Sequence, residues 1–164
     1  MTSHVARDLL QNAAYFSALP KVVAEYVTNA IDSAEPGQAV HCEVEIDPQV
    51  VTVSDNGSGM THAELSNFFQ MHGENIQRKR GRTVRGRFGT GKSAAFGIAD
   101  TLQIETVKSS KRNIVELHRR DVESARDGRP IPVRELLVDE PSPGVPDGTI
   151  IRIRDLRAQD ADPA

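Results

Sequence analysis

Gly86-Arg87-Phe88-Gly89-Thr90-Gly91-Lys92-Ser93 runs into the apolar stretch Ala94-Ala95-Phe96-Gly97-Ile98-Ala99, and the fold follows from the kind of turn this is. Glycines at this density let main-chain N–H groups crowd around one point. A helix starting there adds its positive end, so the stretch reads as a phosphate cradle. It satisfies the P-loop pattern G-x-x-x-x-G-K-[ST]. A P-loop, however, needs a buried apolar strand running straight into its first glycine. Here the preceding residues are Arg78-Lys79-Arg80-Gly81-Arg82-Thr83-Val84-Arg85, which no core could bury. Nor does a later run of four apolar residues end in an aspartate suited to a magnesium ion. The P-loop reading fails, and the cradle has to be assigned from its surroundings.

Immediately upstream, Arg78, Lys79, Arg80, Arg82, Arg85 and Arg87 crowd cations into a stretch with no apolar period. A long basic loop inside a compact domain is usually functional, such as a lid over a site. Three readings stay open for it: closing over a phosphate-bearing ligand, touching a nucleic acid, or remaining a solvated loop. Before it, Thr61-x-x-Glu64 is a capping box opening a helix with Leu65, Phe68 and Phe69 that ends near Met71-His72-Gly73. Residues 40–46 and 50–54 alternate apolar and polar around Asp47-Pro48-Gln49, which predicts a hairpin. The second strand ends in Ser54-Asp55-Asn56-Gly57-Ser58-Gly59-Met60, a carboxylate followed by two spaced glycines that let a flat ligand approach the backbone. Taken alone, that is an ordinary turn.

Two helices come first. Val5, Leu9, Leu10 and Ala13 have helical spacing over 4–16, and a second helix runs from about Pro20 to Ala34, before Glu35-Pro36-Gly37. In the second helix Val23, Val27, Ala30 and Ile31 form an apolar stripe, while Glu25, Asn29 and Asp32 share another face. Downstream of the glycine turn, 102–107 and 113–118 flank Lys108-Ser109-Ser110-Lys111 as a second hairpin. Residues 119–132 are charged and proline-bearing, Val133–Val138 is a further strand, and Gly148–Arg154 is the last one.

The 164 residues carry 38% hydrophobic and 26% charged side chains, enough for one domain with a core. Against 23 acidic residues stand 20 Lys and Arg, a net −3 that argues against a general nucleic-acid or membrane-surface binder. The single cysteine, Cys42, allows neither an internal disulfide nor a cysteine-based metal cluster, and fits a reduced, cytoplasmic chain. No apolar run is long enough to span a bilayer, and His4, Arg7 and Asp8 do not read as a secretory signal. His62, His72 and His118 lack metal-ligand spacing. The abrupt polar end reads as a domain taken from a longer protein.

Four separated pieces now stand together: Glu25-x3-Asn29-x2-Asp32, Asp55-Asn56-Gly57-Ser58-Gly59-Met60, Gly86-x2-Gly89-x-Gly91, and Gly148-Thr149 entering the last strand. In this order and spacing they resemble the GHKL superfamily of ATPases, which includes DNA gyrase, the heat-shock chaperone with the same fold, MutL, MORC proteins and histidine kinases. The resemblance covers roughly residues 20–155. It implies an α+β, two-layer α/β sandwich of the Bergerat type, with a mixed, mostly antiparallel sheet covered on one face by helices. The domain is expected over 1–157, its lid at about 72–88, with 158–164 a polar tail.

The resemblance also implies roles. Asn29 is the magnesium ligand of an ATP-bound Mg2+, and an amide oxygen suits a hard ion among phosphates. Glu25, one turn earlier on the same face, is the general base that activates water. Asp32 is placed beside the cofactor, pairing with an arginine or ordering a water. Asp55 accepts from the adenine amino group with Thr149 in support, which favours ATP over GTP. Gly57, Gly59 and Met60 lie against base and sugar, while Gly86, Arg87, Phe88, Gly89, Thr90, Gly91 and Lys92 face the phosphates. Ser93 becomes an early residue of the following helix.

Histidine kinases generally lack both Glu25 and Asp32, so the hydrolase branch is preferred, closest to the chaperone-like and MORC-like members. The implied function is magnesium-dependent ATP binding and hydrolysis that drives lid closure and an ATP-dependent homodimer, slow in the isolated domain. The alternatives are a non-hydrolysing nucleotide-binding interaction module, or a DNA-associated ATPase domain using Arg78–Arg87. Nucleic acid is the less favoured partner, and no membrane is expected.

Overall fold

The computed structural model describes residues 2–3, 18–70, 94–124 and 131–157. Alternating apolar residues build the strands. β1 (Thr2–Ser3) pairs with β6 (Ile131–Pro132) in a small antiparallel ladder, and the other six strands make the main sheet. These are β2 (Cys42–Ile46), β3 (Val50–Asp55), β4 (Ala99–Lys108), β5 (Lys111–His118), β7 (Arg134–Pro141) and β8 (Gly148–Leu156). Their spatial order is β2-β3-β8-β4-β5-β7, and all five ladders are antiparallel. The sheet expected to be mixed is thus wholly antiparallel where it is described, with hairpins joining β2 to β3 and β4 to β5. β8 inserts between β3 and β4.

Both expected hairpins form. Asp47 and Val50 exchange main-chain hydrogen bonds across the first turn, at 2.8 and 3.3 Å. Ser109 and Ser110 take φ of 51° and 60° in the second, the mirror-image turn whose twist suits two antiparallel strands.

Among the described residues three helices accompany the sheet: α1 (Leu19–Ser33), α2 (His62–Gln70) and the short α3 (Arg119–Ser124), which falls in the charged stretch given no helix from sequence. Pro20 sits in the first turn of α1, where its missing N–H costs nothing. The capping box of α2 is made: Glu64 N–H donates to Thr61 Oγ1 at 3.2 Å, and Thr61 N–H donates to Glu64 Oε2 at 2.9 Å. In the apolar stretch after the glycine turn, Ala94 is helical, Ala95–Gly97 is one 3₁₀ turn and β4 starts at Ala99. The first expected helix, 4–16, the basic lid at 72–88 and the tail at 158–164 lie outside the described residues.

Register sorts the sheet into two faces. Val51 and Val53, Ile151 and Ile153, Leu102 and Ile104, and Val115 and Leu117 share one face, and pack with Val22, Tyr26, Leu65, Phe69 and Val122 of the helices. Fully burying side chains of this size stabilises by about 1.5–3 kcal/mol each. The opposite face is charged and internally paired. Arg152 and Arg112 both reach Glu105 at 2.7 Å, Gln103 donates to Glu116 at 2.9 Å, and Arg154 also pairs with Glu116.

Candidate functional site

The apolar face of the sheet gives way to polar residues at one end. One step beyond Val53 and Ile151, register aligns Cys42, Asp55, Thr149, Thr106 and Asn113 in a row across β2, β3, β8, β4 and β5. The row lies on the helix-covered face, and Thr106 and Asn113 are fully buried. Asn113 accepts from the Asp139 N–H at 2.9 Å while its Nδ2 has no partner among the described residues, and the partners of the other polar side chains in the row assemble the site.

Asp55 is the centre. Its Oδ1 accepts from the Gly57 N–H at 2.8 Å and from the Ser33 hydroxyl at 3.4 Å, and the Thr149 main chain also bonds the carboxylate. Burial pushes the carboxyl above its ordinary value, while the bonds from Gly57, Thr149 and Ser33 pull it back part of the way. A carboxylate with this surrounding holds donors and keeps acceptors out.

The loop after β3 is fastened on both sides. Ser58 N–H donates to the Ser33 carbonyl at 3.1 Å, tying it to the end of α1. Asn56 donates to Ala39 O at 2.9 Å and accepts from His41 N–H at 2.7 Å. On the sheet side, Met60 N–H donates to Thr106 Oγ1 at 2.8 Å. The two glycines are required by the protein's own packing. A Cβ on Gly57 would lie 2.0 Å from Ser33 Oγ, and one on Gly59, at φ +58°, would lie 1.9 Å from the Val107 carbonyl oxygen.

α1 carries the second half of the constellation. Val22, Tyr26 and Ala30 are buried, so Glu25, Asn29 and Asp32 stand half-buried beside that stripe. At about 1.5 Å of rise per residue, Asn29 lies roughly 6 Å and Glu25 roughly 12 Å along the axis from Ser33, which touches Asp55. Next to Glu25, Tyr26 hydrogen-bonds the Ala95 main chain just past the glycine turn, and burial raises its hydroxyl far above the ordinary range. Arg119 donates to the Phe96 carbonyl in the same segment.

Of the expected site residues, the structure thus gathers Asp55, Gly57, Gly59, Met60 and Thr149 at one end of the sheet, with Glu25, Asn29 and Asp32 on the adjoining helix. Gly86, Arg87, Phe88, Gly89, Thr90, Gly91 and Lys92 lie outside the described residues. Sequence reasoning missed Ser33 and Thr106. Ser33 was legible as a hydroxyl four residues beyond Asn29, whereas nothing short of the β8–β4 register could have paired Thr106 with Thr149. His62 pairs with Glu135 at 2.5 Å, holding the Glu135 carboxyl below its ordinary value. A cavity of about 280 Å³ is lined by Asp55, Asn56 and Thr149 together with Glu105, Val107 and Ile150, and takes in neither Glu25 nor Asn29.

Among the described residues no group of three or more His, Cys, Asp or Glu gathers as for a metal, and no helix is long and apolar enough to cross a membrane.

Comparison with known proteins adds two findings. Residues 17–140 match the model of the "Histidine kinase-, DNA gyrase B-, and HSP90-like ATPase" family. The chain is also 24% identical over 148 residues to a protein of Herpetosiphon aurantiacus, provisionally named type II restriction enzyme HgiDII. That alignment takes in 87% of this chain and 24% of the relative, so the chain spans about a quarter of the relative's length.

Proposed function

Because the chain belongs to the histidine kinase-, DNA gyrase B- and HSP90-like ATPase family, an ATP-binding family, we propose that it binds ATP with magnesium and hydrolyses it slowly to drive a conformational switch in a larger protein. The observation that carries the reading is the fastening of Asp55 to the end of α1 through Ser33 and Ser58. Ser33, Asn29 and Glu25 follow one another along α1 from that point, which supports a triphosphate laid along this helix with its base at Asp55.

In this reading Asp55 accepts from the adenine amino group, and a base with a carbonyl there meets repulsion. The donor set on α1 fits the magnesium of such a complex. Asn29 offers a neutral, hard oxygen, and phosphates supply the remaining charge, which a site without a carboxylate cluster requires. When bound, the ion draws charge away from the phosphates. Glu25 accepts the proton of the attacking water, Asp32 orders that water or pairs with an arginine, and the glycine turn with Lys92 holds the phosphates. Lid closure over 72–88 and pairing of two domains follow ATP binding, in a cytoplasmic setting.

The test is a titration of the chain with ATP and magnesium, followed by phosphate release from wild type and Glu25→Ala. Binding is expected in both and turnover only in wild type; equal turnover removes Glu25 as the base, and no binding removes the reading. A second reading, favoured by the restriction-enzyme name of the relative, makes this the ATPase module of a DNA-acting protein whose basic loop meets the phosphate backbone. It predicts DNA affinity that falls steeply with salt and weakens when Arg78–Arg87 are neutralised.

A further inference from the structure

Among the described residues β2 pairs with β3 alone, so it forms one edge of the main sheet. Contacts at its two ends fix which of its main-chain groups face outward. At one end Asn56 N–H donates to the His41 carbonyl at 3.2 Å, and at the other Asp47 and Val50 exchange both bonds. In an antiparallel ladder bonded pairs alternate with non-bonded ones, so Glu43 and Glu45 turn their N–H and C=O groups toward Ser54 and Thr52. Cys42, Val44 and Ile46 therefore point theirs away from the sheet. The side chains alternate as well. Val44 and Ile46 stand opposite Val53 and Val51 on the helix-covered face, yet are 37% and 57% exposed, while Glu43 and Glu45 stand on the other face.

The far edge of the sheet is guarded. The β7 ladder with β5 shifts register around Ile114, Asp139 takes φ +48° and the strand ends in Pro141, devices that spoil pairing with a further strand. β2 keeps a regular register over its whole length and contains no proline. Its charge decides what fits there. From Val22 to Gln77 the chain has no lysine or arginine, and Asp47 follows Glu43 and Glu45. A second copy of β2 laid antiparallel about Val44 would set Glu43 against Glu45, and like charges directly opposite repel. We propose that β2 docks an extended, basic segment of a partner protein, which adds a strand to the sheet through the outward groups of Cys42, Val44 and Ile46. Alternate residues of that segment are apolar, beside Val44 and Ile46, and lysine or arginine, beside Glu43 and Glu45.

The probe is a short synthetic peptide alternating arginine with valine, titrated into the chain while amide hydrogen exchange is followed. Binding should slow exchange at Cys42, Val44 and Ile46, and should weaken as salt is raised. Two control peptides separate the contributions. One has its alternate amides N-methylated, which keeps charge and side chains but prevents main-chain pairing; the other carries glutamate for arginine. Each should bind about tenfold more weakly. Val44→Pro removes an outward N–H that β3 does not use, so the hairpin should survive while peptide affinity falls by about tenfold. Should that variant not fold, Glu43→Lys combined with Glu45→Lys leaves the main chain intact, and should lose the arginine peptide and gain the glutamate one. An N-methylated peptide that binds as well as its parent reduces the edge to a general attraction for cations and overturns the proposal. So does an arginine peptide that fails to bind, or one that protects other strands and leaves β2 unchanged.

Discussion

Ser58 donates its main-chain N–H to the Ser33 carbonyl at 3.1 Å, and this bond makes the C-terminal end of α1 and the loop after β3 a single unit. The Ser33 hydroxyl adds to it, lying 2.8 Å from Ala30 O and 3.4 Å from Asp55 Oδ1. A carboxylate on a strand and a face of Glu25, Asn29 and Asp32 on a helix are thereby held in one frame. Rigid placement of this kind lets a small domain present several groups to a single ligand.

Asp55→Asn should separate stability from binding. The folded carboxyl sits above its ordinary value because of burial, so between those two values the folded protein holds a proton that the unfolded chain has released. Stability therefore falls as pH rises through that window, and ionised Asp55 is a net cost at neutral pH. Asparagine keeps an oxygen for the Gly57 N–H, so thermal midpoints without nucleotide should stay equal or rise. ATP affinity should drop by about a hundredfold, since an amide N–H would face the adenine amino group. Wild-type affinity should also weaken as pH falls through the raised value, because in the proposed reading ATP binds the ionised form. A variant that binds ATP as wild type does would take Asp55 out of the base site.

Gly59→Ala should be among the most damaging single substitutions. The residue holds φ +58° and a Cβ would lie 1.9 Å from the Val107 carbonyl oxygen, with the Gly148 nitrogen at 3.3 Å. Left-handed backbone costs roughly 1–2 kcal/mol outside glycine, and the clash with main chain adds to it. We expect on the order of 3 kcal/mol or more lost in urea unfolding, with ATP binding lost in step. A change under about 0.5 kcal/mol would mean the loop relaxes freely.

Asn29→Ala addresses the ion. For wild type, ATP should raise the thermal midpoint more with magnesium than with a chelator present, by mass action on the folded state. In the variant the two conditions should give the same, smaller rise. A full magnesium effect in Asn29→Ala would assign the ion to another group.

Much of this was legible in the chain because the signals were local. The capping box at Thr61 and Glu64, the serine turn at 109–110 and the polar stripe on α1 each depend on residues within a few positions, where helix and strand periods speak directly. The wholly antiparallel order was not, because β8 comes from the far end of the described chain and inserts between β3 and β4. That insertion aligns Asp55, Thr149 and Thr106, so the partners of Thr106 are set by register alone. The glycines were legible as close approaches. Gly57 and Gly59 make room for Ser33 and Val107, atoms of the protein itself.

Cys42 offers a reporter for the same site. It stands opposite Asp55 in the β2–β3 register, and its thiol is raised above the ordinary value first by burial and then by the Asp55 charge. The thiolate is the reactive form, so alkylation by iodoacetamide should be slow at neutral pH and accelerate only above the usual thiol range. Removing the charge in Asp55→Asn takes away one of the two causes, and the pH–rate profile should move to lower pH while burial keeps it above a free cysteine. The measurement is the alkylation rate at a series of pH values, followed by mass spectrometry of the intact chain, with midpoints compared between the two proteins. Identical profiles would show that the Asp55 carboxyl carries no charge at those pH values, and would remove the ionised acceptor from the proposed adenine selection.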